Sequence, residues 1–265
     1  RGYLETGKMP FRDVWIHQHI VDANGYKMSK SKGNVIDPQK LLKNYGGEAI
    51  RLWAAIEGDL AKQDLKCSEE RIMAELKTLN KLLNITRFIM QFKKPGKKPD
   101  LTGLDKLFID YIDYETYHID SSYNVYDFYK PALKLRKLVW DDLASHYLEI
   151  VKARAYNQEG KFSKEESESA KYTLYYLIER LVVLLSPIIP QVTSVIAKEL
   201  KLSLEKFPEI DYSNVEKRVR EKDKLLLVNQ IIGFNSEVWK KKKDSGISLR
   251  SEMSGIRIPE NLKPF

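Results

Sequence analysis

Eight consecutive residues, Lys27-Met28-Ser29-Lys30-Ser31-Lys32-Gly33-Asn34, bring together three lysines, two serines and a glycine. The ammonium groups are point charges suited to phosphate oxygens. Serine hydroxyls and the bare backbone N–H groups of a small-residue loop add neutral donors. The stretch leads into Asp37-Pro38, an N-cap followed by a proline at the first helical position. A helix N-terminus there would favour an anion as well. By composition alone, the octapeptide also suits a solvated basic turn.

Other residues invite weaker readings. His17 and His19 sit two apart, and on a strand both imidazoles would share a face that could suit a metal. No third ligand lies nearby in sequence and Cys67 is distant, so no metal site is assigned; nucleotide-side or structural histidines are expected. Asp141 and Asp142 are adjacent. Adjacent side chains on a helix diverge by about 100°, which argues for a solvated face over paired acid–base work. Tyr111, Tyr114, Tyr117, Tyr123, Tyr126 and Tyr129 crowd one region. Aromatic planes can stack splayed RNA bases, yet bundle core and rim is the expectation for most of them. Lys134, Arg136, Lys137, Lys152 and Arg154 are the better candidates to meet RNA, with His146 packed or RNA-facing. Lys240-Lys241-Lys242-Lys243 could grip phosphates or simply favour a helix C-terminus.

The elements that must position these groups change character along the chain. Residues 1–66 read as mixed: Val14-Trp15-Ile16 and Ile20-Val21 are short β-type runs, and Asp22-Ala23-Asn24-Gly25 is a turn. A helix from Pro38 to about Asn44 would end at Tyr45-Gly46-Gly47, with a second short helix over 48–57. Beyond Ser68, an N-cap before Glu69 and Glu70, the apolar period becomes helical. Helices are expected from 68 to the loop Lys93–Pro99, over 104–119, over 125–156, from the capping box Ser163-x-x-Glu166 to Ser186-Pro187, and from Ile188 to Leu200. On the 125–156 helix, Phe128, Leu135, Leu138, Val139, Leu143, Tyr147 and Val151 are the expected inner residues. Short loops between such helices make an antiparallel bundle. The tail reads as one helix over 215–243, followed by strand-like Ile247-Ser248-Leu249 and Ile256-Arg257-Ile258. The expected fold is therefore mainly α: a helical bundle over 67–205, preceded by an α/β remnant and followed by a helix-plus-strands appendage over 206–265.

Composition bounds the function. The chain has 265 residues, 43% hydrophobic and 11% aromatic, enough to bury a core and to exclude disorder as its main state. One cysteine, Cys67, excludes an intramolecular disulfide framework and fits a reducing compartment; a cytoplasmic location is expected. No apolar run approaches the ~20 residues of a membrane span; Leu181–Leu185 stops at Ser186-Pro187. The net charge of +8 is unevenly spread: 1–66 carries 11 basic and 8 acidic residues, and 201–265 carries 14 and 10. Basic ends could attract a polyanion such as RNA, or be an ordinary solvated surface. The first residue is Arg1, not a methionine, so a fragment or mature piece of a longer protein is expected.

Lys27-Met28-Ser29-Lys30-Ser31 matches letter for letter the KMSKS signature of class I aminoacyl-tRNA synthetases. Gly33-Asn34-Val35-Ile36-Asp37-Pro38, Tyr45-Gly46 and Ala49-Ile50-Arg51-Leu52-Trp53 resemble its continuation in the valine, isoleucine and leucine enzymes. Ala144-Ser145-His146-Tyr147-Leu148-Glu149-Ile150-Val151-Lys152 is similar to a helix of the valyl enzymes, and Ser186-Pro187-Ile188-Ile189-Pro190 to the proline-marked break of the same bundle. The resemblance implies that residues 1–66 end the catalytic domain and include a linker touching the inner bend of tRNA. It implies that 67–205 bind the anticodon, and that 206–265 form an appendage. It gives Lys30 the main ATP-phosphate contact during adenylate formation. Lys27 would support it, Met28 would lie by the adenine, Ser29 and Ser31 would shape the loop, and His17 would stand near the nucleotide. It further implies ATP as substrate with Mg2+, valine and tRNA, most closely tRNA(Val), as partners, a monomer, and no membrane contact.

Two departures stand out. The HIGH-like signature, amino-acid pocket and editing domain are absent, so this stretch alone is expected not to activate an amino acid. The family often carries His-Gly before the signature, where this chain has His17-Gln18. A stand-alone RNA-binding module with a vestigial loop, or the same part of an isoleucyl enzyme, stays open as an alternative.

Overall fold

The computed structural model describes residues 2–14, 16, 18–59, 62–205, 222–248, 251 and 253–265. After a short helix α1 (Gly2–Thr6), strand β1 (Ile20–Val21) pairs in parallel with β2 (Leu65–Lys66), Ile20 opposite Leu65. The chain between them holds the lysine–serine loop and helix α2 (Pro38–Ile56). Of the two expected β-type runs, only Ile20-Val21 is a strand; Val14 and Ile16 are not, and Trp15 lies outside the described residues.

Helix α2 starts as its sequence requires, with Asp37 Oδ1 accepting from the Gln39 N–H at 2.9 Å and Pro38 at the first turn. Its two expected halves meet at Gly46, whose backbone (φ 76°, ψ 159°) is non-helical. The second half plunges into the core with Ala49, Leu52 and Trp53. Five further helices follow the periodicity: α3 (Glu69–Ile89), α4 (Gly103–Tyr123), α7 (Lys164–Leu185), α8 (Pro190–Leu200) and, in the tail, α9 (Lys222–Asp244), with α5 (Tyr129–Lys137) and α6 (Leu148–Tyr156) between α4 and α7. Ser68, Thr102 and Ser163 cap α3, α4 and α7, the last through the full capping box. Core residues of α2 through α9 form one continuous buried cluster.

The expected helix over 125–156 is three segments: α5 (Tyr129–Lys137), a π-helix over Leu138–Tyr147, and α6 (Leu148–Tyr156). It starts later than expected because α4 runs to Tyr123 and Asp127 Oδ1 accepts from the N–H groups of Tyr129 and Lys130 at 3.1 and 3.2 Å. Phe128 is consequently exposed, while Leu135, Leu138, Val139, Leu143, Tyr147 and Val151 are buried as expected. Two side-chain contacts match the five-residue spacing of the π segment: Lys137 with Asp142, and Ser145 Oγ donating to the Trp140 carbonyl at 2.8 Å.

Asp142 corrects the sequence reading. It is buried, accepts from the Tyr111 hydroxyl at 2.8 Å and pairs with Lys137; only its neighbour Asp141 faces water. The strand-like tail segments are not strands among the described residues: Ile247, Ser248 and Ile256-Arg257-Ile258 join no sheet, and Leu249 lies outside those residues. The chain ends in a turn over Glu260–Leu262 that buries Leu262.

Candidate nucleotide and RNA contact sites

The loop is built around one carboxylate. Asp22 Oδ1 accepts from the N–H groups of Asn24 and Tyr26 at 3.0 and 2.8 Å, closing the turn after β1. Its Oδ2 accepts from Asn34 Nδ2 at 2.8 Å, and Asn34 Oδ1 in turn accepts from the Ser29 N–H at 2.9 Å. These bonds, that from Asn34 foremost, hold the Asp22 carboxyl below its ordinary value. Val21 bridges back to Lys27, so the loop springs directly from the two-stranded sheet. Ser29 Oγ accepts from the Lys32 N–H at 3.3 Å and lies 3.2 Å from Ser31 Oγ. Residues 30–32 thereby wind into one tight turn, ended by Gly33 at φ 66°.

This scaffold sets the side chains apart by role. Met28 packs against the hydrophobic core, while Lys27, Lys30 and Lys32 are exposed. Among the described residues, Lys27 and Lys30 have no carboxylate partner; Lys32 lies over the Tyr26 ring at 5.9 Å from its centroid. The loop thus offers two uncommitted ammonium groups on a hydrogen-bonded frame. His17 lies outside the described residues. The His19 N–H donates to Asp64 Oδ1 at 2.9 Å, which ties β1 to the approach of β2.

The five bundle cations do not form one surface. Lys134 pairs with buried Glu115 at 2.9 Å, Arg136 with buried Glu75 at 3.0 Å, and Lys137 with Asp142. Arg154 corrects its sequence reading. Its side chain is only 11% exposed and donates to Asp105 Oδ1 at 2.6 Å and Thr102 Oγ1 at 2.8 Å, in a core network completed by Tyr147 and Ser169. Lys152 is different again. Its ammonium lies 5.6 Å from the Phe88 ring centroid, and its partner Glu149, at 3.4 Å, is itself exposed. Phe88 and Tyr156 meet edge to face at 5.8 Å, and the Tyr156 hydroxyl donates to Gln91 Oε1 at 2.9 Å. Lysine, aromatic rings and amide make a surface able to stack a base and hold its phosphate. Sequence reading found Lys152 but missed Phe88 of α3, Gln91 in the turn after it and Tyr156 of α6, more than sixty residues further on.

His146 serves the fold. It is buried, stacks on Trp239 of α9 at 5.2 Å, and its Nδ1 lies 3.1 Å from Asn235 Nδ2. Tyr111 and Tyr123 are also structural: burial raises both hydroxyls, which donate to Asp142 and to the Leu184 carbonyl. The last turn of α9 carries Lys241, Lys242 and Lys243.

Comparison with known families gives two matches. Residues 3–68 match the model of tRNA synthetases class I (I, L, M and V), and residues 114–256 match the anticodon-binding domain of tRNA ligase. The chain belongs to the class I tRNA synthetases. Its synthetase relatives include valine–tRNA ligases at 36% identity from Aeropyrum pernix (96% of this chain, 31% of that protein), Pyrobaculum aerophilum (97% and 32%) and Nanoarchaeum equitans (100% and 33%). The chain therefore spans 31–33% of the length of these relatives. Among solved synthetases, its fold is similar to the LeuRS of the Agrobacterium radiobacter K84 ternary complex with tRNA and LeuAMS. That likeness has a TM-score of 0.54 at 16% identity, over 75% of this chain and 24% of that one.

Proposed function

We propose that this chain is the KMSKS-bearing and anticodon-binding part of a valine–tRNA ligase. Residues 1–66 close the catalytic domain, 67–205 receive the anticodon region of tRNA(Val), and 206–265 are an appendage. Lys30, backed by Lys27, neutralises charge that develops on pyrophosphate as valine's carboxylate attacks ATP. Met28 lies on the adenine side, and Ser29 and Ser31 hold the loop's shape. Mg2+ accompanies the ATP, and no residue of this chain is assigned to it. The full-length enzyme acts as a cytoplasmic monomer on valine, ATP and tRNA; this chain alone is inactive. Among the described residues, no helix is long and apolar enough to cross a membrane.

The observation that carries the reading is the pair of uncommitted lysines on the Asp22–Asn34 frame. Displacement of pyrophosphate needs charge stabilisation and positioning more than covalent help. A loop anchored at a sheet edge can also close on the transition state and reopen. In the full-length protein, Lys30→Ala is expected to lower valine-dependent ATP–pyrophosphate exchange by about 10²–10³; an unchanged rate would refute Lys30's role. For the bundle, the surface of Phe88, Gln91, Lys152 and Tyr156 suits the anticodon loop. Binding to tRNA(Val), tRNA(Ile) and an anticodon-altered tRNA(Val) at two salt concentrations tests it. Selective binding lost with the anticodon is the expected result. Equal, strongly salt-dependent binding to all three would leave only a basic surface.

A further inference from the structure

The linker after α2 meets the corner between α4 and α5. A cleft of about 450 Å³ opens there. One wall is the end of α2, with Ala54, Ala55 and Gly58; the other is aromatic, with Tyr126, Phe128 and Tyr129.

The corner has an unfavourable backbone. The Tyr126 N–H donates to the Tyr123 carbonyl at 2.9 Å and the Asp127 N–H to the Ser122 carbonyl at 3.0 Å. That is the Schellman pattern, and it puts Tyr126 in the left-handed position that glycine usually takes. Its φ is 58°, and the residue is 51% exposed. A bulky residue at positive φ costs stability that glycine would not. The Tyr126 ring stands beside exposed Phe128 and Val125, so the cleft presents an aromatic face to solvent.

The charges are layered to match a nucleotide. Lys62 pairs with Asp59 at 2.8 Å and Lys130 with Asp127 at 2.9 Å. In each pair the lysine is outside and the carboxylate inside: 75% against 25% exposed in the first, 70% against 18% in the second. Ammonium groups at the rim suit phosphates. Aromatic faces suit a base, and carboxylates behind them suit its exocyclic amino group. We propose that this cleft takes one unpaired, amino-bearing nucleobase of the bound tRNA, stacked on Tyr126 with its phosphates at Lys62 and Lys130. The proposal rests on the tRNA-binding reading above and adds a site separate from the Phe88–Lys152 surface.

Tyr126→Gly in the full-length protein separates the two roles of this residue. It relieves the positive φ, so the melting temperature should stay level or rise. Loss of one stacked base should weaken tRNA binding about tenfold to hundredfold. A base protected from dimethyl sulfate in the wild-type complex should become reactive. Tyr126→Phe should bind and protect as wild type does, and Lys152→Ala should weaken binding with that base still protected. Wild-type affinity and protection in Tyr126→Gly would overturn this site and leave the tRNA-binding reading standing. Failure of the wild-type protein to bind tRNA would overturn both.

Discussion

Lys152 and Arg154 stand two residues apart on α6, and the structure gives them opposite fates. Arg154 is enclosed with Asp105, Thr102 and Tyr147, whereas Lys152 lies over Phe88 with its head in water. Removing one member of a buried charge pair strands the other, at about 3–5 kcal/mol. Arg154→Met is therefore expected to lower the urea midpoint severely, and Lys152→Ala to leave it nearly unchanged while weakening tRNA binding. Equal midpoints for the two variants would contradict this division. Gly46 is a second single-residue dependence. At φ 76° and ψ 159° it occupies backbone space that is nearly glycine's alone. Gly46→Ala is expected to cost about 1–3 kcal/mol, read as a lower urea midpoint with unchanged slope; a midpoint equal to wild type would show that the bend tolerates a side chain.

Helix α2 belongs to residues 1–66 by sequence, yet it clamps the bundle. Glu48 is buried, and its Oε2 accepts from the Val192 N–H at 3.0 Å in the first turn of α8. Helix α8 lacks a capping side chain of its own, because Ile189 occupies that position. A carboxylate there meets both the orphan donors and the positive end of the helix dipole. On the same face, Arg51 donates to the carbonyls of Ile188 and Pro187 at 2.7 and 3.1 Å, covering the turn that follows α7. Glu48→Gln keeps an acceptor but drops the charge, so a loss of up to about 2 kcal/mol is expected. Glu48→Ala, which also leaves the Val192 donor unmet, should lose more. The order is checked by denaturation; an alanine variant as stable as the glutamine variant would show that the donor finds another partner.

Across the whole molecule, the tail docks in part on a histidine whose burial disfavours its charged form. Helix α9 packs on α4 and on the π segment, where His146 stacks on Trp239 and meets Asn235 and Ser236. Burial lowers the His146 pKa below its ordinary 6.5, Lys137 acts in the same sense, and Asp142 and Asp141 oppose them. A lowered histidine pKa means that the undocked state binds the proton more readily, so docking is strongest above pH 6.5 and is lost as pH falls below it. Amide exchange along α9, corrected for intrinsic rates, should therefore be faster relative to wild-type protection at pH 7.5 when measured at pH 5.5. A His146→Phe variant, which keeps a ring to stack, should not respond to pH. Equal wild-type protection at both values would remove His146 as the determinant of docking.

What local chemistry decides was legible in the sequence. The caps at Asp37, Ser68 and Ser163, the break at Ser186-Pro187 and the tight turn over Lys30–Lys32 depend on residues within a few positions of one another. The inward turn of Asp142 was legible too, because it follows Leu135, Leu138 and Val139 at helical spacing; adjacency to Asp141 obscured it. Tertiary structure alone decided the rest. No local rule brings Glu48 to α8, Arg154 to Asp105, or Tyr156 to Gln91, since these partners are separated by 144, 49 and 65 residues. A cation's sequence position does not say whether packing will bury it or leave it to water. That choice depends on which carboxylates and rings the other helices deliver to its side.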